Sequence, residues 1–129
     1  MCDPQIQQLL DLTQQLLDSI ASGDWETYEK LCDPTLTAFE PESRGHLVEG
    51  MDFHRFYFNL AGDGPRNTTI ASPRVRLLGE NAAVVSYIRL TQYVGDSGEP
   101  QTSRFEETRV WQRQEGRWRH VHFHRSADR

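Results

Sequence analysis

Apolar side chains recur every three or four residues along the first 20 positions of the chain. This is the period of an amphipathic helix that buries one face. Asp3 can cap its first turn, Pro4 suits the first helical position, and Gly23 suits the residue after its end. The pattern predicts a long N-terminal helix with a buried stripe of Ile6, Leu9, Leu10, Thr13, Leu16, Leu17 and Ile20.

Shorter patterns follow the first helix. Asp24 is placed to cap a second, short helix. The apolar stripe of that helix is Trp25, Tyr28 and Leu31. Residues 36–39 and 47–48 predict short strands, and the aromatic-rich residues 50–60 predict a third helix. Residues 61–65 have the composition of a loop.

From residue 67 onward, strand-forming residues alternate between turn-rich clusters, as in an antiparallel meander. Pro73 indicates an edge strand or a bulge, and Gly116 suits the left-handed position of a three-residue hairpin loop. The three long strands are predicted at residues 82–94, 102–114 and 118–125. Helices followed by such a meander predict one α+β domain, residues 1–129, with helices on one side of a curved antiparallel sheet and a pocket beneath the first helix.

The long strand at residues 82–94 is apolar on both of its faces. A half-exposed antiparallel strand is expected to be polar on one face, and so small a chain covers only one face with its helices. We therefore expect a second copy of the sheet to cover the other face, although a few exposed aliphatic side chains also explain the pattern. The expected oligomer interface consists of Val84, Ile88, Leu90, Val110 and Trp118.

Three arginines fall on the aromatic-bearing faces of the long strands: Arg89, Arg109 and Arg125. If the turn before the second long strand closes just before Ser103, Glu107 lies opposite both Arg89 and Arg125. One carboxylate does not neutralise three guanidinium groups, so the cluster predicts a pocket for a small anion such as a carboxylate. The alternative is that the arginines extend into solvent or pair with acids from the helices.

Histidines provide a second candidate for chemistry. His120, His122 and His124 alternate along one strand, which is a spacing that zinc or copper can use, but no cysteine or carboxylate is placed to complete the ligand set. We therefore expect no metal and no cofactor, and a solvent or interface face for these histidines. His54 lies in the aromatic helix and can either line the pocket or pack in the core.

Catalysis is the less favoured interpretation. No nucleophile elbow or phosphate-binding glycine loop is present. The predicted curved sheet, with a pocket beneath its first helix, resembles the cone-shaped fold of ketosteroid isomerases. Those enzymes place an acidic base in an apolar pocket. Glu107 is the candidate base, but neighbouring arginines lower a carboxyl pKa and weaken it as a base.

Composition narrows the choice of partners. The net charge of −5 argues against nucleic acid or an anionic membrane as a partner. No apolar stretch approaches the ~20 residues of a membrane span, and no signal peptide is visible. Cys2 and Cys32 make no disulfide framework, so a cytoplasmic location is expected. Only one of the 14 basic residues is a lysine, and this arginine bias suggests positive charge inside the protein or at interfaces.

Specific runs of residues along most of the chain resemble the association (hub) domain of calcium/calmodulin-dependent protein kinase II. These runs are CDP at 32–34, TAFEPE at 37–42, LVEG at 47–50, DFHRFYF at 52–58, YIR at 87–89, TQY at 91–93, EETRVW at 106–111 and VHFHRS at 121–126. The resemblance implies a nuclear transport factor 2-like cone. It also implies homodimers formed through the sheets and a self-assembling scaffold of stacked rings, a dodecamer or tetradecamer, that can include kinase subunits bearing the same hub.

The resemblance also implies a deep pocket formed by His54, Arg89, Arg109 and Arg125, which in animal members accepts small carboxylates and has been proposed to dock a segment of the kinase. Residues 59–67 are shorter than the corresponding family loop and lack its tryptophan. The chain also has no kinase domain, so an excised hub or a free-standing hub-like protein is expected, and neither is an enzyme by itself.

Overall fold

The computed structural model describes residues 3–60 and 64–128 of the chain. Cys2 and part of the predicted loop at 61–65 lie outside these described residues. The helices are α1 (Pro4–Ser22), α2 (Trp25–Leu31) and α3 (Asp52–Asn59), with a 3₁₀ turn at Pro41–Ser43. The strands are β1 (Cys32–Phe39), β2 (Val48–Glu49), β3 (Arg66–Leu77), β4 (Ala82–Val94), β5 (Pro100–Gln114) and β6 (Arg117–Arg125).

Helix α1 forms as its capping residues predict. The side chain of Asp3 accepts a hydrogen bond from the backbone N–H of Gln5, Pro4 begins the helix, and Gly23 adopts the left-handed conformation at its end. Within the described residues, no helix is both long enough and apolar enough to cross a membrane.

The six strands form one sheet in the order β2-β1-β6-β5-β4-β3. All neighbouring strands are antiparallel except β1 and β6, which are parallel. We call the face that packs against α1 and α2 the inner face; it carries Val85, Tyr87, Trp111 and Phe123. Leu9, Leu16 and Leu17 of α1 join these residues in one apolar core, so the prediction of an α+β fold with helices packed on the sheet is confirmed.

Two turns differ from their predicted geometry. The β5–β6 loop has two residues, Glu115 and Gly116, both with positive φ, because Gln114 already pairs with Arg117. The β4–β5 turn closes at Val94 and Pro100 rather than just before Ser103.

This earlier closure moves the β4–β5 register by two residues. Arg89 therefore lies opposite Phe105, and Glu107 lies opposite Tyr87. The prediction that Glu107 is opposite Arg89 is wrong, whereas its pairing with Arg125 on β6 is confirmed.

Irregularities in β3 and β6 change which side chains share a face. The β3 register shifts between Ala71 and Arg74, so the bulge predicted at Pro73 is confirmed. In β6, Val110 pairs with His122 and Trp111 with His120, which leaves Val121 as an extra residue. A bulge of this kind reverses the alternation of side chains, and it is not visible in the spacing of apolar residues.

The bulge in β6 places Trp118 and His120 on the inner face, with His122 and His124 on the opposite side. The prediction that Trp118 lies at an oligomer interface is therefore wrong: its side chain is only 3% exposed and belongs to the core. For the same reason the three histidines do not share one face.

Candidate functional site

A cavity of about 490 Å³ lies between the helices and the inner face of the sheet. Its apolar wall is formed by residues from α1, α2, α3, β5 and β6: Ile20, Tyr28, Tyr57, Phe58, Phe105 and Phe123. Its charged and titratable lining residues are Glu40, Glu42, His54, Arg66, Arg89, Arg109 and Arg125. The structure therefore brings His54 and the three predicted arginines to one pocket.

Glu107 lies beneath this pocket rather than in its lining, and its carboxylate is fully buried. The hydroxyl of Tyr87 and Nη2 of Arg109 (3.2 Å) both donate to Oε1, while Nη1 of Arg89 donates to Oε2 at 2.9 Å. Burial alone raises the pKa of Glu107, but Arg109 and Arg89 outweigh it and hold the pKa at about 2. Glu107 is therefore a structural counter-ion and is unsuited to act as a base.

Arg109 is held by several partners and is only 1% exposed. Its Nε donates to the Tyr87 hydroxyl at 2.8 Å, and its guanidinium lies 4.5 Å from the centre of the Phe123 ring. Its Nη1 lies 3.3 Å from Nε2 of His120, whose pKa is lowered by burial and by Arg109. Neutral His120 accepts this hydrogen bond at Nε2, which leaves its Nδ1 proton directed at Sγ of Cys32, 3.3 Å away.

Arg89 and Arg125 differ from Arg109 in their hydrogen-bond and ion-pair partners. The Nε of Arg89 is buried and has no hydrogen-bond partner among the described residues. Arg125 does not bond Glu107, although the two are opposite on the sheet; it pairs with Glu42 of the 3₁₀ turn instead. The alternative that the arginines pair with acids from the helices therefore holds for Arg125 alone, with an acid of the 3₁₀ turn rather than of an α-helix.

Glu40 and Glu42 are pocket residues that the sequence reasoning missed. They flank Pro41 where β1 ends, and β1 lies beside β6, which carries Arg125. The signal was the acid-rich EPE segment directly after a predicted strand. The alternation of strand faces does not reach this segment, because strand faces say nothing about residues beyond the strand end.

Glu40 and His54 meet in the pocket. The Glu40 side chain is 7% exposed, and its Oε1 lies 3.8 Å from Nδ1 of His54. Burial, followed by the neighbouring Glu42, raises the pKa of Glu40 to about 7. Burial and Arg109 lower the pKa of His54 to about 4, so the imidazole is neutral and its buried Nε2 has no described hydrogen-bond partner.

The opposite face of the sheet, which we call the outer face, carries a row of aliphatic side chains among polar and charged ones. Val84, Ile88 and Leu90 of β4 and Val110 of β5 are half-buried there. Arg76, Gln92, Glu106, His122 and His124 surround them. Among the described residues, no three His, Cys, Asp or Glu side chains are close enough to hold a metal ion.

Comparison with known proteins identifies relatives of this chain and its fold. The family model described as the calcium/calmodulin dependent protein kinase II association domain matches residues 5–129. The delta subunit of calcium/calmodulin-dependent protein kinase type II from Oryctolagus cuniculus is 57% identical over 124 residues. That match covers 94% of this chain and 23% of the relative, so the chain spans about a quarter of the length of that kinase subunit.

Solved structures agree with the family match. The hub homology domain from Chlamydomonas reinhardtii is 51% identical with a TM-score of 0.87, covering 92% of this chain and 94% of that one. The association domain of the C. elegans kinase is 47% identical with a TM-score of 0.87, covering 95% of each chain.

More distant structures define the fold. A nuclear transport factor 2-like protein from Salmonella enterica is 25% identical with a TM-score of 0.76, covering 94% of this chain and 89% of that one. The predicted nuclear transport factor 2-like fold is thereby confirmed. The family model that matches is that of the association domain and not of a kinase domain, in agreement with the prediction of a non-catalytic domain. The chain therefore belongs to the association-domain family of calcium/calmodulin-dependent protein kinase II.

Proposed function

We propose that this chain is a self-assembling scaffold whose dimers form through the outer faces of two sheets and join into stacked rings. The observation that carries this proposal is the outer face itself, where Val84 of β4 pairs with Val110 of β5 and Ile88 and Leu90 continue the half-buried aliphatic row along β4. Half-buried aliphatic side chains surrounded by polar ones are typical of a protein interface. Because α1 and α2 occupy the inner face, nothing in the described chain covers the outer one.

A twofold-symmetric dimer is the simplest arrangement that covers this face, because each copy presents the same surface to the other. Dimers that meet through a second, head-to-tail contact close into rings, for which we propose twelve or fourteen subunits in the cytoplasm, as the family resemblance implies. Kinase subunits bearing the same domain are proposed partners in such a ring. Holding many copies together raises their effective concentration, so the proposed role is multivalency.

A charge placed on the outer face tests the scaffold proposal. Ile88→Asp puts a carboxylate at the centre of the proposed interface, and we expect light scattering after size-exclusion chromatography to show a lower mass with an unchanged circular dichroism spectrum. Leu78→Asp is the matched control, because Leu78 is an aliphatic residue 50% exposed just beyond β3. A wild-type mass of 15.0 kDa at every concentration refutes the proposal.

The second proposed function is binding of a small carboxylate, or an acidic peptide segment, in the pocket. The specific observation in its favour is that Nε of Arg89 and Oγ1 of Thr91 are buried polar atoms of pocket residues without partners among the described residues. A bound carboxylate satisfies both, and a guanidinium is the side chain best suited to bind it. We propose His54, Arg89, Arg109 and Arg125 as the residues that surround this ligand, with Glu107 fixing two of the arginines from below.

Thr91→Val removes one of these unpartnered atoms while it keeps the size and shape of the side chain. Loss of a hydrogen bond to a charged ligand corresponds to roughly a tenfold loss of affinity for acetate in a calorimetric titration. The folded protein loses no hydrogen bond in this variant, so its stability is expected to stay the same. Thr69→Val on the exposed part of β3 is the control and should bind acetate normally. Absence of acetate binding in the wild type refutes the pocket proposal.

A further inference from the structure

The carboxyl groups in and beneath the pocket differ in whether a positively charged side chain lies within ion-pair distance. Glu107 is in ion-pair contact with Arg89 and Arg109, and Glu42 is paired with Arg125. Within residues 3–60 and 64–128, no guanidinium lies within ion-pair distance of Glu40, whose one such neighbour is His54 at 3.8 Å. Glu40 is therefore the pocket carboxyl whose negative charge has no direct counter-ion.

The surroundings of Glu40 disfavour its ionised form. Its side chain is almost entirely buried, and the carboxylate of Glu42 lies two positions along the chain. Burial and Glu42 raise its pKa, and Glu107 adds to the effect, while Arg125 and Arg109 act against it from a distance. His54 offers no positive charge, because its own pKa is lowered to about 4. The resulting pKa of about 7 places the change of charge near neutral pH.

The charge on Glu40 decides how the pocket receives an anion. Among the described residues, four guanidinium groups line the cavity: Arg66, Arg89, Arg109 and Arg125. They are opposed by the paired carboxylates of Glu42 and Glu107 and by Glu40 when it is ionised. Glu40 lines the same cavity as these four guanidinium groups. A carboxylate bound to these arginines therefore shares the cavity with Glu40, and ionisation of Glu40 adds a like charge to that cavity.

We propose that Glu40 is the proton-carrying residue of the pocket: a small carboxylate binds while Glu40 is a neutral carboxylic acid, and ionisation of Glu40 weakens its binding. This inference rests on the carboxylate pocket proposed above. In its acid form Glu40 is also a hydrogen-bond donor, which an ionised carboxylate is not, so it can donate directly to the ligand. Glu40 then repels a carboxylate ligand when it is ionised and attracts it when it is protonated.

The direction of the pH effect follows from linkage. A bound anion stabilises the protonated form of Glu40, so binding takes up a proton from solution. Affinity must then fall as pH rises through the region where free Glu40 ionises, by at most about tenfold per pH unit for one linked proton. His54 is neutral in the free pocket in this region, because its pKa is about 4.

Acetate is a suitable probe, because its own carboxyl is fully ionised between about pH 6 and pH 8. The experiment is a calorimetric titration of the intact wild-type protein across this range, repeated in two buffers with different ionisation enthalpies. We expect the wild-type affinity to fall several-fold or more toward the alkaline end. We also expect the apparent binding enthalpy to differ between the buffers by an amount that reports proton uptake.

Glu40→Gln provides the decisive comparison, because glutamine has the shape and the donor capacity of the protonated acid. This variant should bind acetate independently of pH, bind it more tightly than the wild type at about pH 8, and take up no proton. Glu26→Gln, an exposed position on α2, is the matched control and should keep the wild-type profile. Circular dichroism establishes that the variants are folded.

The outcomes separate this inference from the pocket itself. A wild-type protein that binds acetate with the same affinity across the pH range overturns the role of Glu40 and leaves the pocket in place. A Glu40→Gln variant that retains the wild-type pH slope does the same. Absence of acetate binding at every pH overturns both the pocket and the role of Glu40.

Discussion

Arg89 donates a hydrogen bond to Glu107 at 2.9 Å, although the residue directly opposite Arg89 on β5 is Phe105. The contact is diagonal, from one strand to a position two residues further along the next, which long side chains can reach. Glu107 also accepts a hydrogen bond at Oε1 from Nη2 of Arg109, on its own strand, at 3.2 Å. One buried carboxylate thereby compensates two buried guanidinium groups and fixes them at the base of the cavity.

Glu107→Gln should destabilise the protein strongly. The substitution keeps the shape of the side chain but removes the negative charge, which leaves Arg109 buried without a counter-ion. Breaking a buried ion pair in this way costs about 3–5 kcal/mol of unfolding free energy. Chemical denaturation followed by circular dichroism measures the effect, at a single protein concentration because the proposed assembly would contribute to stability.

An exposed glutamate supplies the control for this measurement. Glu26→Gln removes a carboxylate from the exposed surface of α2, away from the outer face of the sheet. Such a surface substitution changes the unfolding free energy by about 1 kcal/mol or less. Equal destabilisation by the two substitutions contradicts the structural role assigned to Glu107.

The sequence predicts the elements of this fold well where local signals are strong. The capping residues Asp3 and Gly23 and the apolar stripe of α1 are recovered because helix ends and helix period are local properties. The arginine cluster was found with the wrong β4–β5 register. The cluster still forms because side chains alternate along a strand, so a register shift of two residues leaves every side chain on the same face. In addition, the Arg89 side chain is long enough to reach Glu107 diagonally.

Other features of the site depend on geometry that the sequence pattern does not contain. The extra residue Val121 in β6 reverses the alternation of side chains and brings Trp118 and His120 inside. Glu40 reaches the pocket because β1 and β6 pair in parallel, and a long-range pairing of this kind has no signal in local periodicity. Both omissions concern tertiary arrangement rather than the assignment of elements.

Trp118→Ala tests the corrected position of this residue. The indole is 3% exposed, and the guanidinium of Arg113 lies 4.4 Å from its ring centre. Removing a buried tryptophan side chain costs about 3–5 kcal/mol, so the variant should unfold at markedly lower denaturant concentration. Val121→Ala, at the half-buried extra residue of the same strand, should have a smaller effect. A variant that keeps the stability of the wild type but changes its mass supports an interface position instead.

The ionisation of Glu40 can be detected without any ligand, from the pH dependence of the unfolding free energy. Its pKa is about 7 in the folded protein, against 4.5 as the ordinary value for an unfolded chain. Because the folded-state pKa is raised, the protonated Glu40 carboxyl contributes its full share to the unfolding free energy below about pH 4.5. This contribution is lost as the pH rises to about 7.

Glu40→Gln removes this ionisation and is the measurement to compare with the wild type. The wild type should lose about 1–3 kcal/mol of unfolding free energy relative to the variant between about pH 4.5 and pH 7, with little further relative change above that. Denaturant unfolding curves of both proteins at several pH values give the difference directly. A difference that stays constant with pH excludes a raised pKa for Glu40.

The two-residue β5–β6 turn offers a stabilising substitution. Glu115 has φ of +52° and Gly116 has φ of +78°, so both positions are left-handed. A glutamate is strained in this conformation, whereas asparagine adopts it readily, and Asn-Gly is the preferred pair for such a turn. We expect Glu115→Asn to raise the unfolding free energy by about 0.5–1 kcal/mol. Glu115→Ala separates this effect from loss of charge, because alanine removes the carboxylate and keeps the strain. A gain in stability with alanine as large as the gain with asparagine assigns the effect to charge and not to backbone conformation.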